Sequence, residues 1–172
     1  LTKKMIVGKG IEIIEGDYVS RITDNTVTLE SGRSYTADIV FPSLGVQPSP
    51  IFIKSGLPTG PDGGLLVNDY LQSTKYPNIF GGGDCIYLES KPLDRVGVYA
   101  VRQNPVLYEN LKASLTGESL EKFSPGGDYL LIYNLGDGEG VLSKWMLTFG
   151  GKLAFKIKDY IDRRFIRTFQ GE

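Results

Sequence analysis

Apolar residues recur at helical spacing in two stretches of the chain. In residues 96–115 they lie on or near one face of a predicted helix, which Thr116 and Gly117 end. Pro105 falls inside this stretch, so it either begins a second helix or kinks a single one. Residues 152–167 predict an amphipathic helix with an apolar stripe and a separate polar face. Apolar residues also alternate at its start, so an extended first turn is the alternative.

Alternation of apolar and polar residues predicts short strands before and between these helices. Residues 11–29 alternate through turn signals, which predicts an antiparallel meander. Residues 35–41 end as a continuous apolar run, typical of a buried strand, and residues 65–67 predict a brief strand. Further on, residues 129–133 and 140–142 predict a β-hairpin across a glycine-containing turn.

Two aromatic residues follow the predicted hairpin. Trp145 and Phe149 are large and apolar, and such side chains bury a large area when they pack. We therefore expect both to pack on the hairpin.

One glycine-rich turn carries candidate chemistry. Ile79-Phe80 reads as a buried strand end, and Gly81-Gly82-Gly83 lets the backbone turn where side chains would collide with a neighbour. Asp84 follows directly. A carboxylate at the C-terminal end of a strand is well placed to accept hydrogen bonds from the hydroxyls of a sugar-like ligand. The alternative from these residues alone is a tight turn with a solvated acid.

Composition narrows the classes of function. The 172 residues carry 19 basic and 20 acidic side chains, so no global charge favours nucleic acid. There is no histidine, and Cys85 is the only cysteine, which excludes an intrachain disulfide and His-dependent catalysis and leaves no zinc site. We expect no metal and a cytoplasmic, reducing setting.

Two segments of the chain, each an apolar run followed by a turn that contains glycine, together resemble a known family. The segment Ala37-Asp38-Ile39-Val40-Phe41 before Leu44-Gly45-Val46-Gln47-Pro48, and Asn78-Ile79-Phe80 before Gly83-Asp84, are similar to the C-terminal half of FAD-dependent pyridine nucleotide-disulfide oxidoreductases. The likeness is to the branch of type II NADH dehydrogenases, over residues 1 to about 117. The tail is similar to the flavoprotein region fused to some selenide, water dikinases.

The resemblance implies a fold and an order of domains. We expect an α/β (α+β) chain: a partial FAD/NAD(P)-binding, Rossmann-like three-layer fold with an antiparallel meander, then a C-terminal hairpin and amphipathic helix. Residues 1–46 would end the NAD(P)-binding domain, 47–117 would return to the FAD-binding domain, and 118–172 would form a C-terminal domain. Both G-x-G-x-x-G fingerprints of the family are absent from this sequence.

The resemblance also implies cofactor-binding residues. Asp84 would accept hydrogen bonds from the ribityl chain of FAD, and Gly82 and Gly83 would let the backbone approach it. The backbone of Cys85 would face the ligand, the residue being otherwise a small packed thiol. Gly45 would mark the return to the FAD domain beside the reacting rings, or be an ordinary strand-to-loop glycine.

The same resemblance places the start of the predicted helix 96–115 against the flavin. Val98, Tyr99 and Ala100 would lie there, with N–H groups and the positive helix end favouring negative charge on the reduced ring. No side chain is then needed as a catalytic base, and NAD(P)H is the implied substrate. Gln103 matches one of two glutamines near the quinone in type II dehydrogenases, but Tyr99 replaces the other, which leaves the acceptor open. Core packing is the alternative for Val98 and Tyr99.

The implied partners are the N-terminal half of the same polypeptide and a second copy, giving a homodimer. Residues 152–167 carry a basic face, which indicates either peripheral contact with the inner face of a membrane or a solvated surface. The isolated chain is expected to be inactive. A binding or assembly module without catalysis is the competing function. Sulfide:quinone reductase is disfavoured, because no cysteine follows Cys85.

Overall fold

The computed structural model describes residues 1–170, and they form two compact units. One unit combines Leu1–Pro42 with the described residues from Asp128 onward, and the other is Ser43–Gly127. In chain order the elements are α1 (Thr2–Gly8), β1 (Val19–Thr23), β2 (Thr26–Leu29), β3 (Ser34–Thr36), α2 (Ile51–Lys54), β4 (Leu65–Val67), β5 (Ile86–Leu88), α3 (Gly97–Thr116), β6 (Leu131–Asn134), β7 (Gly140–Lys144), β8 (Leu147–Gly151) and α4 (Lys152–Phe169). The predicted division into family domains stays a prediction.

The first unit contains two antiparallel three-stranded sheets. The order β1-β2-β3 confirms the predicted meander, and β6-β7-β8 extends the predicted hairpin by a third strand. Helix α4 packs on the second sheet through Ala154, which is fully buried. Lys9, just after α1, forms ion pairs with Asp137 and Glu139 of the β6–β7 turn at 2.8 and 3.3 Å. These contacts join the start of the chain to its C-terminal sheet.

The core of the second unit surrounds a parallel pair of strands. β4 and β5 pair with Leu65 opposite Ile86 and Val67 opposite Leu88, and all four side chains are buried. Leu71 and Phe123 complete the buried cluster. Burial of side chains of this size contributes about 1.5–3 kcal/mol each, so this cluster is the main apolar stabilisation of the unit.

Helix α3 is one continuous helix that contains Pro105 and ends at Gly117 in the left-handed conformation. Asn110 on this helix is fully buried. Its amide nitrogen donates to the carbonyl oxygens of Tyr70 and Glu121 at 2.8 and 2.9 Å, and its carbonyl oxygen accepts from the Glu121 N–H at 2.7 Å. Asn110 therefore clamps α3 to two loops at once.

Three expectations about apolar residues are wrong. Residues 37–41 form no strand, and Ile39 and Phe41 are 69% and 86% exposed. A strand needs a neighbour for its backbone groups, and among residues 1–170 this run has one backbone hydrogen bond, from the Ala37 N–H to the Asn25 carbonyl oxygen at 2.8 Å. Likewise Ile79-Phe80 makes only an isolated bridge between Phe80 and Gln72. Trp145, expected to pack on the hairpin, lies in the β7–β8 turn and is 77% exposed.

Replacement of Asn110 by alanine tests the clamp. We expect Asn110→Ala to lower the free energy of unfolding by about 3 kcal/mol, because it removes three hydrogen bonds of a fully buried amide and leaves partly buried backbone groups of Tyr70 and Glu121 without these partners. Urea denaturation followed by circular dichroism measures the change. Asn104 is exposed on the same helix, so Asn104→Ala is the matched control and should alter stability by less than about 0.5 kcal/mol. Equal effects of the two substitutions would contradict the clamp.

Candidate functional site

A polar pocket lies in the second unit, beside the start of α3. Its empty volume is about 390 Å³, counting the space that opens to solvent. It is lined by Asp62, Gly83, Asp84, Ile86, Tyr87, Leu88, Pro92, Leu93, Asp94, Arg95, Tyr99 and Gln103. Four of the predicted cofactor-binding residues therefore meet in one place: Gly83, Asp84, Tyr99 and Gln103.

Asp84 sits in a short 3-10 turn, Gly83–Cys85, that packs against α3. The residue is half-buried, and its main-chain oxygen accepts a hydrogen bond from Arg95 Nε at 2.9 Å. Its carboxylate accepts no hydrogen bond from residues 1–170. A half-buried carboxylate without a partner can accept hydrogen bonds from a ligand with hydroxyl or N–H groups.

The glycines before Asp84 pack against α3. A Cβ atom at Gly82 would lie 3.1 Å from Leu107 Cδ2, and Gly83 has φ +73°, a conformation that other residues rarely adopt. Gln103 is almost fully buried, and its side-chain oxygen accepts the Gly83 N–H at 2.5 Å. The structure thus gives these glycines a packing role, and their approach to a cofactor stays a prediction.

The start of α3 has no side-chain cap. Val96 is extended and makes no capping hydrogen bond through its side chain, and Val98, Tyr99 and Ala100 form the first turn. The first N–H groups of a helix lack intrahelical partners, and the helix dipole makes this end favourable for negative charge. The Tyr99 ring lies under the Arg102 guanidinium, whose carbon is 5.8 Å from the ring centre.

Five predicted residues do not line the pocket: Gly45, Gly82, Cys85, Val98 and Ala100. Gly45 is exposed, has φ +92° and has open space where a side chain would point. Cys85 is half-buried against the core, and its thiol donates to the Gly82 carbonyl oxygen at 3.1 Å. The residues described hold no other cysteine and no cluster of metal-ligating side chains.

An ion pair in the pocket was not predicted from the sequence. Arg95 Nη2 lies 2.5 Å from Asp62 Oδ2, and Asp62 Oδ1 accepts the Gly64 N–H at 2.9 Å. Burial of the Asp62 carboxyl opposes its ionisation, but the Gly64 N–H and the Arg95 hydrogen bond and charge outweigh it. The pKa of Asp62 is therefore below its ordinary value. Arg95 precedes the helix start directly, a signal that could have singled it out.

The basic helix α4 begins on the C-terminal sheet, and its residues 160–168 are exposed. Two of its basic residues pair with acids one turn away: Lys158 with Asp162 at 2.6 Å and Arg163 with Asp159 at 2.8 Å. Within residues 1–170, no helix is both long enough and apolar enough to cross a bilayer. Membrane contact through residues 152–167 stays a prediction.

The described residues form an α/β chain with a polar pocket beside the N-terminus of α3. A model of the pyridine nucleotide-disulphide oxidoreductase family matches residues 1–108. The chain belongs to this family, which confirms the resemblance stated from the sequence.

Curated relatives are similar over most of this chain but extend well beyond it. Ferroptosis suppressor protein 1 of Taeniopygia guttata is 30% identical over 81% of this chain and 40% of its own length. The protein of the same name in Xenopus tropicalis is 29% identical over 81% of this chain and 39% of its own length. FAD-dependent oxidoreductase FVFD30 of Flammulina velutipes is 28% identical over 77% of this chain and 42% of its own length. The chain spans about 40% of the length of these relatives.

Solved structures with this fold include two enzymes of sulfur chemistry. The sulfide:quinone oxidoreductase of Aquifex aeolicus superposes with a TM-score of 0.66 at 17% identity, covering 96% of this chain and 43% of that one. The NAD-dependent persulfide reductase of A. fulgidus superposes with a TM-score of 0.62 at 22% identity, covering 82% of this chain and 26% of that one. At these identities the likeness shows the fold, and it confirms the predicted partial Rossmann-like α/β class.

The Asp62–Arg95 pair predicts a pH dependence of stability. A carboxyl whose pKa is lower in the folded than in the unfolded state stabilises the fold above the unfolded pKa, and this stabilisation is lost as pH falls through the folded pKa. We expect the free energy of unfolding to fall more steeply below about pH 4 in the wild-type chain than in Asp62→Asn. Urea titrations at a series of pH values measure this difference.

Glu118→Gln is the charge-matched control, since Glu118 is exposed in the same unit. The control should keep the acid-dependent slope of the wild type. If Asp62→Asn kept it too, the ion pair would not contribute to acid stability.

Proposed function

We propose that this chain forms one wall of the flavin site in an FAD-dependent oxidoreductase that takes hydride from NAD(P)H. The observation that carries the proposal is the carboxylate of Asp84. It is half-buried in a pocket, beside an uncapped helix start, and has no partner within residues 1–170. The family and the FAD-dependent relative support the same class of function.

The residues of the pocket fit part of FAD. The hydroxyls of the ribityl chain donate hydrogen bonds, which the carboxyl oxygens of Asp84 can accept. The carbonyl side of the flavin ring presents acceptors, which suit the free N–H groups at the start of α3. When bound, the cofactor supplies the redox chemistry, accepting hydride from the nicotinamide.

In this proposal the side chains of this chain bind and orient the flavin and take no part in proton transfer. Gln103 accepts the Gly83 N–H, and Arg95 donates to the Asp84 carbonyl oxygen, so two hydrogen bonds fix the turn that carries the Asp84 carboxylate. Tyr99 contributes an aromatic surface to the pocket. The helix start favours negative charge near its N–H groups without any proton transfer from a side chain.

We further propose that the activity belongs to a longer polypeptide, in which another segment holds the pyrophosphate of FAD. This chain spans about 40% of the length of its relatives, which supports this proposal. So do apolar side chains that the described residues leave exposed on α3: Val101, Tyr108, Leu111 and Leu115. A binding or assembly module without catalysis is the second candidate, and the same exposed face favours it.

Two flavin probes test the role of Asp84 in the chain as it exists. Riboflavin carries the ribityl chain, and lumiflavin has only the ring. We expect riboflavin to bind weakly and to shift the backbone amide NMR signals of Asp84, Gly97 and Val98. Asp84→Asn should weaken riboflavin binding about tenfold, the loss of a charge-assisted hydrogen bond, and leave lumiflavin binding unchanged.

Asp24→Asn is the control, because it removes the same charge from an exposed turn of the other unit. It should leave both probes unaffected. Riboflavin binding that perturbs amides elsewhere, or that is insensitive to Asp84→Asn, would remove the flavin site from this pocket. Absence of flavin binding by the wild type would favour the non-catalytic module.

A further inference from the structure

Gln103 has hydrogen-bonding capacity that its contact with the glycine turn does not use. Its side-chain oxygen Oε1 accepts the Gly83 N–H, and its side-chain nitrogen Nε2 makes no hydrogen bond with residues 1–170. A side-chain amide nitrogen carries two N–H donors. Both donors of Gln103 are therefore unused by the part of the chain that the structure describes.

The Gln103 nitrogen opens to the pocket. The residue is only 2% exposed, and it lines the pocket. Among the described residues, no side-chain nitrogen or oxygen that is shielded from solvent lacks a hydrogen-bond partner. Since Nε2 has no partner there, it is not shielded, and the small exposed part of Gln103 contains this atom. The pocket is the space that Gln103 borders, so its donors are directed into it.

The side chain of Gln103 is fixed in this orientation. A Cβ atom at Gly82 would lie 3.5 Å from Gln103 Oε1 and 3.8 Å from Gln103 Cβ, so the side chain runs along the glycine turn. The Gly83 N–H takes the oxygen end of the amide and leaves the nitrogen end for the pocket. A donor that is held in place before binding loses little conformational entropy when a ligand arrives.

The contact with Gly83 does not require an amide at position 103. It uses only an acceptor, and the carboxylate of a glutamate would accept an N–H at least as well. Nearly buried donors cost free energy unless a group accepts their hydrogen bonds. A glutamine at this position therefore fits a pocket in which a bound group accepts from it.

Asp84 and Gln103 offer opposite hydrogen-bonding partners in one pocket. Asp84 directly follows Gly83, the residue that Gln103 holds, and its carboxyl oxygens accept no hydrogen bond from residues 1–170. A hydroxyl group can donate one hydrogen bond and accept another at the same time. It can thus donate to Asp84 and accept from Gln103, whereas an anion could use only Gln103 and an ammonium group only Asp84.

We propose that Gln103 and Asp84 together bind one hydroxyl group of the ligand, with Gln103 Nε2 as the donor and the Asp84 carboxyl group as the acceptor. This inference rests on the proposed flavin site, in which the hydroxyl belongs to the ribityl chain. It makes Gln103 a specificity-determining residue, because a flavin ring without the ribityl chain cannot form this pair of hydrogen bonds.

Gln103→Glu tests the donor, because it keeps an acceptor for the Gly83 N–H and removes both N–H groups. Riboflavin and lumiflavin are titrated into the isotope-labelled chain, and binding is followed through its NMR signals. In the wild type we expect the side-chain amide signals of Gln103 to shift with riboflavin and to stay in place with lumiflavin. Gln103→Glu should weaken riboflavin binding about tenfold, the loss of one hydrogen bond, and leave lumiflavin binding unchanged.

A double variant tests whether the two residues contact the same hydroxyl. Asp84→Asn combined with Gln103→Glu exchanges donor and acceptor, and a hydroxyl can rotate to suit either arrangement. The double variant should bind riboflavin no more weakly than either single variant. Contacts with separate groups would instead add to a loss of about a hundredfold, which would overturn the shared hydroxyl.

Asn104→Asp is the matched control, since it makes the same change of amide to carboxyl on the exposed neighbour of Gln103. It should bind both flavins like the wild type. Circular dichroism and urea denaturation check that each variant is folded. The side-chain signals of Gln103 in the wild type need no variant, and if they stayed in place while the Asp84 amide shifted with riboflavin, the inference would be wrong.

The outcomes separate this inference from the proposed function. Unchanged riboflavin binding by Gln103→Glu, or an equal loss of both flavins, would overturn the role of Gln103 and leave the flavin site to the Asp84→Asn measurement. Failure of the wild type to bind either flavin would overturn the proposed flavin site, and the role of Gln103 with it.

Discussion

The second unit depends on two buried side-chain amides of α3. Helix α3 buries only Gln103, Asn110 and Ala113 completely, so apolar packing alone does not fix its position. Asn110 ties it to the loops at Tyr70 and Glu121, and Gln103 ties it to Gly83. Hydrogen bonds are directional and costly to leave unmade when buried. These amides therefore set where the helix starts, and with it the place of the pocket.

The charged side chains that line the pocket are Asp62, Asp84, Asp94 and Arg95, and they differ in their partners. Asp62 and Arg95 are 33 residues apart in the sequence and form an ion pair. Arg95 also donates a hydrogen bond to the Asp84 main-chain oxygen. The Asp84 side chain receives no such compensation within residues 1–170. The helix dipole at the α3 start is positive, so the pocket offers a positive wall beside a negative acceptor. That combination suits a neutral, hydroxyl-rich ligand with acceptor groups at one end better than a simple anion.

The sequence predicts the local structure of this chain well where a regular spacing of apolar residues continues over a long stretch. Residues 96–115 and 152–167 become α3 and α4, and the meander and C-terminal hairpin form as expected. Residues 37–41 show the limit, because an apolar run becomes a strand only when another strand pairs with it. In the pocket, Asp84 is predictable from its glycine turn. The Asp62–Arg95 pair and the hydrogen bond from Gly83 to Gln103 are not, since the partners lie 33 and 20 residues apart and no spacing rule links them.

Two bulky residues with positive φ show how the fold distributes strain. Leu71 has φ +59° and is fully buried, and Asn68 supports its turn by accepting the Tyr70 and Gln72 N–H groups. Burial of the Leu71 side chain in the core offsets a backbone cost of about 1–2 kcal/mol. Trp145 has a similar backbone, φ +53°, yet its side chain is mostly in water. Its indole N–H donates to Asp128 Oδ2 at 2.8 Å and Lys144 Nζ lies 4.7 Å from the ring centre, so polar contacts take the place that burial has at Leu71.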